Sequence, residues 1–600
     1  MSVRGAVLIS VLLLSSPVLA DTTATLKDTS VDFKWGEKIP LRDGVKLNAT
    51  VYRPLGQRDP LPCIFTLTPY ISQSYHDRGM YFATHGYVYL TIDVRGRGNS
   101  EGEFTPLLQE AKDGYDIVEW LAKQPYCNGK VTMWGGSYAG YDQWATAKEF
   151  PAHLATIIPV ASPRPAVDFP FAQNVYYAYD VQWLMLTSGH TSQENIFADQ
   201  AFWVSQFNKL YTAHSPFREL DSVVGNPSPI FQTWVAHPEP DAYWDSYSPS
   251  QEQFAKIDLP ILTITGQYDG DQAGALSFYQ DHFRYASAHA KAQHYLVIGP
   301  WDHAGTRTPK ADYAGLTFGP ASVIDMNDLN RSWYDWTLKG GSKPALIKNK
   351  VSYYMLGDGA EQWRYADSLE ATTAASRPMY LASQGGSDDD IFASGLLAAT
   401  SSHGSVKPDR YVYDPLDTTF TAWDAADLTD NSLTDQSGLI SATGKILVYH
   451  TPAFPQATEL AGFPKLSLWM ALDQPDTDIT ANLYEIRSDG SSILLGSQVL
   501  RARYRKGLRE PALVKPGVIE RYDFNGWPFI ARRIGKGSQL RLAIGPMNSK
   551  LNQKNYNSGG VVADESGKDA RTVTVTVYHD AGHPSALYLP IAAPSKEAKP

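Results

Sequence analysis

Cysteine is almost absent from this chain, with only Cys63 and Cys127 among 600 residues. Two thiols cannot build a CxxC-type zinc site. Basic residues are in the minority, 52 against 63 acidic ones, for a net charge of -11. That argues against nucleic acid as a main partner, because phosphate binding needs a concentrated positive surface. It lends no support to binding at an acidic membrane surface either. Long apolar runs are missing beyond the first twenty residues, so no later segment reads as a membrane helix. Hydrophobic residues make up 43% and charged ones 19%, proportions of a folded globular protein rather than a disordered one.

The apolar run that does exist lies at the start. Arg4 supplies a positive charge, residues 6–14 are nearly all apolar, and Val18 and Ala20 occupy the -3 and -1 positions of a cleavage site. This pattern predicts a signal peptide over residues 1–20, cleaved after Ala20. The run is short for an uncleaved membrane anchor. The processed protein is expected to be exported, periplasmic or secreted, without membrane contact, and no cysteine follows the cut to carry a lipid. Export makes a disulfide between Cys63 and Cys127 permissible. Two separate buried thiols fit equally well.

Length alone suggests about three or four domains. In the first half, strand-like runs at residues 63–68, 87–93, 155–160, 260–265 and 294–298 alternate with helical patterns at 109–124 and 327–338. Alternation of this kind predicts a mostly parallel sheet covered on both faces. Residues 163–250, rich in Tyr, Trp, Phe and Gln, interrupt the rhythm, with helices expected at 172–186 and 195–210. An insertion there is well situated to cap a site, although a plain helical layer would read the same way. Beyond about residue 350 the period changes to two, as in Leu466, Leu468, Met470 and Leu472 or Val573, Val575 and Val577. This predicts an all-β domain, a sandwich or jelly roll, with a loop at 383–405.

Gly135-Gly136-Ser137-Tyr138-Ala139-Gly140 stands between a β-like run and a helical one. A serine between glycines at a strand-to-helix turn is the arrangement of a nucleophile elbow. An ordinary tight turn with an idle serine has the same spacing, so the rest of the chain must decide. A serine nucleophile needs a base, and the base an orienting carboxylate. In a parallel sheet such groups lie just after strand C-termini. Asp269 follows the strand at 260–265 and His303 the strand at 294–298, so that the order is Ser, Asp, His. His76 is the best competing histidine but precedes Ser137. His85 lies at the wrong end of a strand, and His450 and His579 fall in the β domain. Asp271 and Asp302 compete with Asp269 as the acid. Oxyanion donors are expected from the Tyr138 amide and from the Tyr70 hydroxyl in the loop after an early strand. The stretch from Asp93 to Gly102 contains Gly-x-Gly, but its third glycine comes one place too late for a dinucleotide fingerprint.

At these residues the chain resembles the CocE/NonD family of serine hydrolases, which includes α-amino acid ester hydrolases and is related to X-Pro dipeptidyl-peptidases. The matching motifs are Thr68-Pro69-Tyr70, Asp93-Val94-Arg95-Gly96, Ser100-Glu101-Gly102, Gly135-x-Ser137-Tyr138-x-Gly140 and Tyr268-Asp269. Further along they are Tyr413-Asp414-Pro415, Asp476-Thr477-Asp478, Leu500-Arg501-Ala502-Arg503-Tyr504-Arg505 and Tyr578-His579-Asp580. The resemblance implies an α/β-hydrolase domain at about residues 25–345 with an inserted helical cap, plus a C-terminal jelly roll at about 350–600. It supports Ser137 as nucleophile, His303 as base, Asp269 as orienting acid, and Tyr70 with the Tyr138 amide as the oxyanion hole. In α-amino acid ester hydrolases, acidic residues after the catalytic Asp, and one from the cap side, bind the substrate ammonium. The matching positions here are Asp271 and the neutral Gln272, with Asp168 or Asp180 as the third group. The aromatic residues Tyr176, Tyr177, Tyr179 and Trp183 would suit an apolar or aromatic acyl group.

The expected protein is therefore an exported serine hydrolase of small esters or amides, requiring no metal or organic cofactor. An X-Pro dipeptidyl-peptidase is the nearest rival. A non-catalytic carbohydrate-binding protein on the same fold is a rival of another class, and a homo-oligomer is left open. Activity is expected to fall as pH drops through about 6.5, the ordinary histidine value.

Overall fold

A computed structural model describes residues 30–383, 389–421, 424 and 430–594. The expected signal peptide lies outside the described residues. Ten strands form the first sheet. Six of them are β1 (Val31–Pro40), β2 (Lys46–Pro54), β3 (Leu61–Thr68), β4 (Val88–Asp93), β5 (Cys127–Gly136) and β6 (Leu154–Val160). The order runs β1-β2-β4-β3-β5-β6, then Ile261–Tyr268, His294–Asp302, Val351–Met355 and Gln362–Ala366. From β4 to Val351–Met355 every neighbouring pair is parallel. These strands are apolar and β-branched almost throughout, as a sheet buried on both faces requires. The helices α1 (His76–Thr84), α2 (Glu110–Leu121) and α3 (Tyr138–Ala147), with Gln272–Tyr285 and Met326–Lys339, supply the cover. Cys63 and Cys127 are buried free thiols that interact with each other.

Between β6 and Ile261–Tyr268 the chain builds the helical insert. The helix expected at 172–186 begins only at α4 (Tyr179–Leu186). Phe171–Ala172 and Val175–Tyr176 instead form a small antiparallel ladder, turned by Gln173 and Asn174 at φ 51° and 63°. Distant partners impose that turn, since Asn174 donates to Pro238 O at 2.8 Å and Leu508 O at 2.9 Å. The helix expected at 195–210 is split at Asp199, whose carboxylate caps Gln200–Ala213 through Phe202 N.

Past residue 370 a thirteen-strand, almost wholly antiparallel array wraps an apolar core that includes Leu466, Leu468, Met470, Leu542, Ile544, Val573 and Val575. The segment expected as a loop at 383–405 contains the strand Gly395–Ala398, while residues 384–388 lie outside the described set. The chain is thus an α/β-hydrolase domain with a helical insert followed by a mainly-β domain, the class that the sequence predicts. Among the described residues no helix is long and apolar enough to cross a membrane.

Candidate functional site

Ser137 sits at φ 61° and ψ -128°, between the end of β5 and the first turn of α3. A non-glycine residue in this region costs about 1–3 kcal/mol, and such strain gathers at functional sites. The neighbours show why glycines surround it. A Cβ on Gly135 would meet the Ala139 Cβ at 2.4 Å, and one on Gly140 would meet Val160 O at 2.5 Å. The serine N–H donates to Val160 O at 2.9 Å, which fixes the elbow to the neighbouring strand.

Two parallel neighbours end beside this elbow. Their C-termini carry Asp269 and His303, and the His303 Nδ1 lies 2.7 Å from Asp269 Oδ1. The other Asp269 oxygen accepts from the Thr265 hydroxyl at 2.8 Å, and Oδ1 also accepts from Asp271 N at 3.0 Å. Burial pushes the Asp269 carboxyl up, but the hydrogen bond and charge of His303, with those two donors, outweigh it and leave the carboxyl below its ordinary range. Asp271 stands 3.6 Å from the same His303 nitrogen. Burial raises it to about 7, with Asp269 adding to the rise and His303 opposing it. His303 is pulled down by burial and pushed up by Asp271 and Asp269, and its net pKa lies above the ordinary value. The competing acids and bases point elsewhere. Asp302 accepts from Gly305 N at 2.9 Å, and His76 bonds the Tyr52 hydroxyl at 3.1 Å. One ligand atom from each of Asp269, Asp271 and His303 lies within 4.8 Å of the others, a spacing that a cation could bridge. The Nδ1–Asp269 bond instead fits a histidine held for proton transfer.

The Tyr70 hydroxyl interacts with Ser137 and accepts from the Trp183 indole N–H at 3.0 Å. Burial raises its pKa to about 12, against those two contacts, so the phenol keeps its proton. Because Trp183 occupies an oxygen lone pair, the Tyr70 proton is free to be donated. Tyr138 presents its amide at the start of α3 while its ring stacks on Trp183, with centroids 5.9 Å apart. Its hydroxyl donates to the buried Glu110 carboxylate and accepts from Leu107 N at 2.6 Å. The Tyr141 hydroxyl donates to Leu107 O, so Leu107, at φ 68°, is held at both its backbone groups. Neither the Glu110 anchor nor the Trp183 bond to Tyr70 was expected from the sequence, where the only signal was the aromatic richness of the insert.

A cavity of about 440 Å³ opens over Ser137. Tyr70, Tyr138, His303, Asp168, Asp271 and Trp183 line it, with Leu107, Phe169, Tyr177 and Tyr179 supplying apolar wall. Asp168 accepts from Arg164 N at 2.8 Å and from Gly274 N; burial, then Asp271, raises its pKa well above the ordinary value. Three residues expected near substrate do not line the cavity. Gln272 turns inward, donating to Gly266 O at 3.0 Å and accepting from Phe529 N at 2.7 Å. Asp180 is fully buried within the insert, where desolvation keeps its carboxyl protonated well above the ordinary range. Tyr176 is spent on the Trp234 and His237 carbonyls.

A serine on a strained elbow of a parallel sheet, under a helical insert, defines a serine hydrolase of the α/β-hydrolase class. Comparison with known proteins agrees. Residues 43–305 match the X-Pro dipeptidyl-peptidase (S15 family) model, and residues 348–588 match the X-Pro dipeptidyl-peptidase C-terminal non-catalytic domain. The chain belongs to this CocE/NonD and S15 family of hydrolases. It is similar to a cocaine esterase of Rhodococcus sp. (strain MB1 Bresler), 27% identical over 92% of this chain and 97% of that protein. Its fold is similar to that of an α-amino acid ester hydrolase, with a TM-score of 0.81 at 20% identity over 96% of this chain and all of the other. It is also similar to that of an aminopeptidase from a marine sediment Thaumarchaeota archaeon, with a TM-score of 0.77 at 20% identity over 94% and 97% of the two chains.

Proposed function

We propose that this hydrolase cleaves small acyl esters or amides through an acyl-enzyme on Ser137. Asp269 holds the His303 Nδ1, which leaves Nε2 as the ring nitrogen free to take the serine proton. The Tyr70 hydroxyl and the Tyr138 amide receive the oxyanion, where preorganised donors act most strongly. His303 then returns the proton to the departing alcohol or amine, and water, activated by the same histidine, releases the acid. The observation that carries this reading is the gathering of Ser137, His303 and Tyr70 around one cavity, with His303 bound to Asp269 at 2.7 Å.

The acyl side of the cavity is apolar except for Asp168 and Asp271. Burial raises both carboxyls; Asp271 has His303 and Arg307 as nearby cations and Asp168 has no paired cation, so a substrate α-ammonium would add the missing charge there. This favours α-amino acyl substrates. Export behind a cleaved signal peptide is part of the same proposal and rests on residues 1–20. The decisive experiment is Ser137→Ala together with labelling by a fluorophosphonate. Hydrolysis of an acyl ester should vanish and labelling of the unaltered protein should be stoichiometric. Survival of near-normal hydrolysis in the variant would sink the mechanism. Comparing an α-amino acid ester, a simple acyl ester and an X-Pro anilide separates esterase from dipeptidyl-peptidase.

A further inference from the structure

Arg307 follows His303 by one turn of the same loop, its N–H closing that turn on Ala304 O at 3.1 Å. Its side chain packs against Gly136, the residue before the proposed nucleophile. A Cβ on Gly136 would come within 2.6 Å of Arg307 Cδ and 2.8 Å of Nη1. Consecutive Cα atoms are about 3.8 Å apart, so this guanidinium stands about one residue from Ser137. Among the described residues it makes no direct ion pair, although its charge is felt by Asp271 and His303, and Nη1 has no hydrogen-bond partner.

The surroundings sharpen the point. Arg78 donates to Arg307 O at 3.0 Å and lies over the Trp134 ring at 4.2 Å, and it too has no carboxylate partner among the described residues. The Trp134 indole N–H is buried without an acceptor. Two guanidiniums and a spare indole donor thus meet beside the elbow, in a chain whose net charge is -11. An arginine fork with no carboxylate bonded to it has the geometry to take a carboxylate or a similar planar anion.

Position tells which half of a substrate would carry that anion. Arg307 is not among the residues lining the cavity under the insert, where the proposed function puts the acyl group. It shares the loop of His303, and the histidine must face the leaving atom in order to protonate it. We propose that Arg307 anchors a carboxylate borne by the leaving group. The favoured substrates then carry a free carboxylate a few atoms beyond the scissile bond. For amide cleavage these are short peptides cut before their last residue, and for esters they are those of carboxylated alcohols or phenols. The assignment rests on the acyl-transfer reading above and adds the chemistry of the departing half.

The test uses the full chain and two esters with one acyl group, a 3-carboxyphenyl and a 3-carbamoylphenyl ester. These match in size and differ in charge. A hydrogen-bonded charge pair contributes about 1.5–3 kcal/mol, so the unaltered protein should prefer the carboxylate by about tenfold or more in kcat/KM, mainly through KM. Arg307→Gln should bring that ratio to about 1, and Arg307→Lys should retain part of it. Raising ionic strength from about 0.05 to about 0.5 M should lower the preference. Equal ratios in the unaltered protein and Arg307→Gln would overturn the proposal. So would a preference for the carboxamide in the unaltered protein, a measurement that needs no variant to fold. Turnover of neither ester would instead overturn the acyl-transfer reading, and the Arg307 assignment would fall with it.

Discussion

Replacing Asp271 by asparagine should move the acid limb of the pH–rate profile to lower pH. In the proposed mechanism His303 acts as a base only when neutral, so kcat/KM falls as pH drops through its pKa. The sequence alone suggests a limb near the ordinary histidine value. The structure moves it above that value, because Asp271 and Asp269 together outweigh the effect of burial. Asp271 Oδ2 lies 3.6 Å from His303 Nδ1, and the imidazole remains 36% exposed. Unit charges about 4 Å apart interact by about 1 kcal/mol in bulk water and about 4 kcal/mol under the screening typical of a protein surface. At about 1.36 kcal/mol per pH unit, that is a shift of between about 0.7 and 3 units. The exposure favours the lower half of this range. Asp271 titrates at about 7 itself, so it is only partly ionised while His303 gains its proton. A downward shift of about 1 unit is therefore expected, as a property of the coupled pair.

Asparagine keeps the size of the side chain and leaves the Asp269 hydrogen bond intact, so the change isolates one charge. The assay is kcat/KM for a neutral ester from about pH 5 to about pH 9, with the released acid quantified chromatographically so that leaving-group ionisation does not enter. The unaltered protein should show an acid limb above about 6.5. If the limb of Asp271→Asn stays in place or rises, then Asp271 does not support the His303 charge and the electrostatic reasoning fails.

Two further outcomes follow from the same geometry. Tyr70→Phe should lower kcat by about 10²–10³-fold with a small change in KM, the signature of a lost oxyanion donor; a rise in KM at unchanged kcat would return Tyr70 to a packing role. The buried pair His282 and His294, with Nδ1 atoms 3.0 Å apart, should make the fold acid-sensitive. Burial, above all, lowers His282 to about 4 and His294 well below its ordinary value. As pH falls below about 6.5 the unfolded chain binds protons that the folded one does not, so each histidine removes up to about 1.4 kcal/mol of stability per pH unit. The Tm measured from about pH 7 down to about pH 4.5 should decline less steeply in His294→Gln than in the unaltered protein; parallel slopes would refute this.

What the sequence could reveal about the site follows from where its constraints are local. Ser137 was legible because a strained elbow excludes side chains at Gly135 and Gly140, within five residues of each other. The meeting of Asp269 and His303 was legible because a parallel sheet gathers strand C-termini at one edge, so that position along each strand specifies position in space. The bond from Trp183 to Tyr70 spans 113 residues, and that from Gln272 to Phe529 spans 257. No periodicity carries such pairings. The ladder at 171–176 misled for the same reason, since its turn is held by carbonyls at Pro238 and Leu508.

Gln272 shows how the second domain enters the chemistry without touching substrate. The loop carrying Asp269 and Asp271 is flanked by two buried glutamines. Gln267 donates to Tyr354 O at 2.6 Å and accepts from Ala531 N at 2.8 Å. Gln272 makes the equivalent pair of bonds with Phe529. A carboxylate at either place would meet carbonyls without a donor to offer them, so the neutral amide at 272 serves a brace and not a weakened amine site. The insert is tied down in parallel. Arg501, paired bidentately with Asp478 at 2.8 and 2.9 Å, also donates to Asn174 O at 2.8 Å, and Asn555 bridges Asp478 to Asp476, the partner of Arg503. Removing one member of such a buried pair typically costs about 3–5 kcal/mol. The two motifs at 476–478 and 500–505 therefore have a physical reason to occur together. They hold the insert from one side while the strand Ile530–Ile534 and its approach hold the acid loop from the other. The cavity walls come wholly from residues up to His303, and the domain that follows bonds to the insert and to the residues flanking the acid loop.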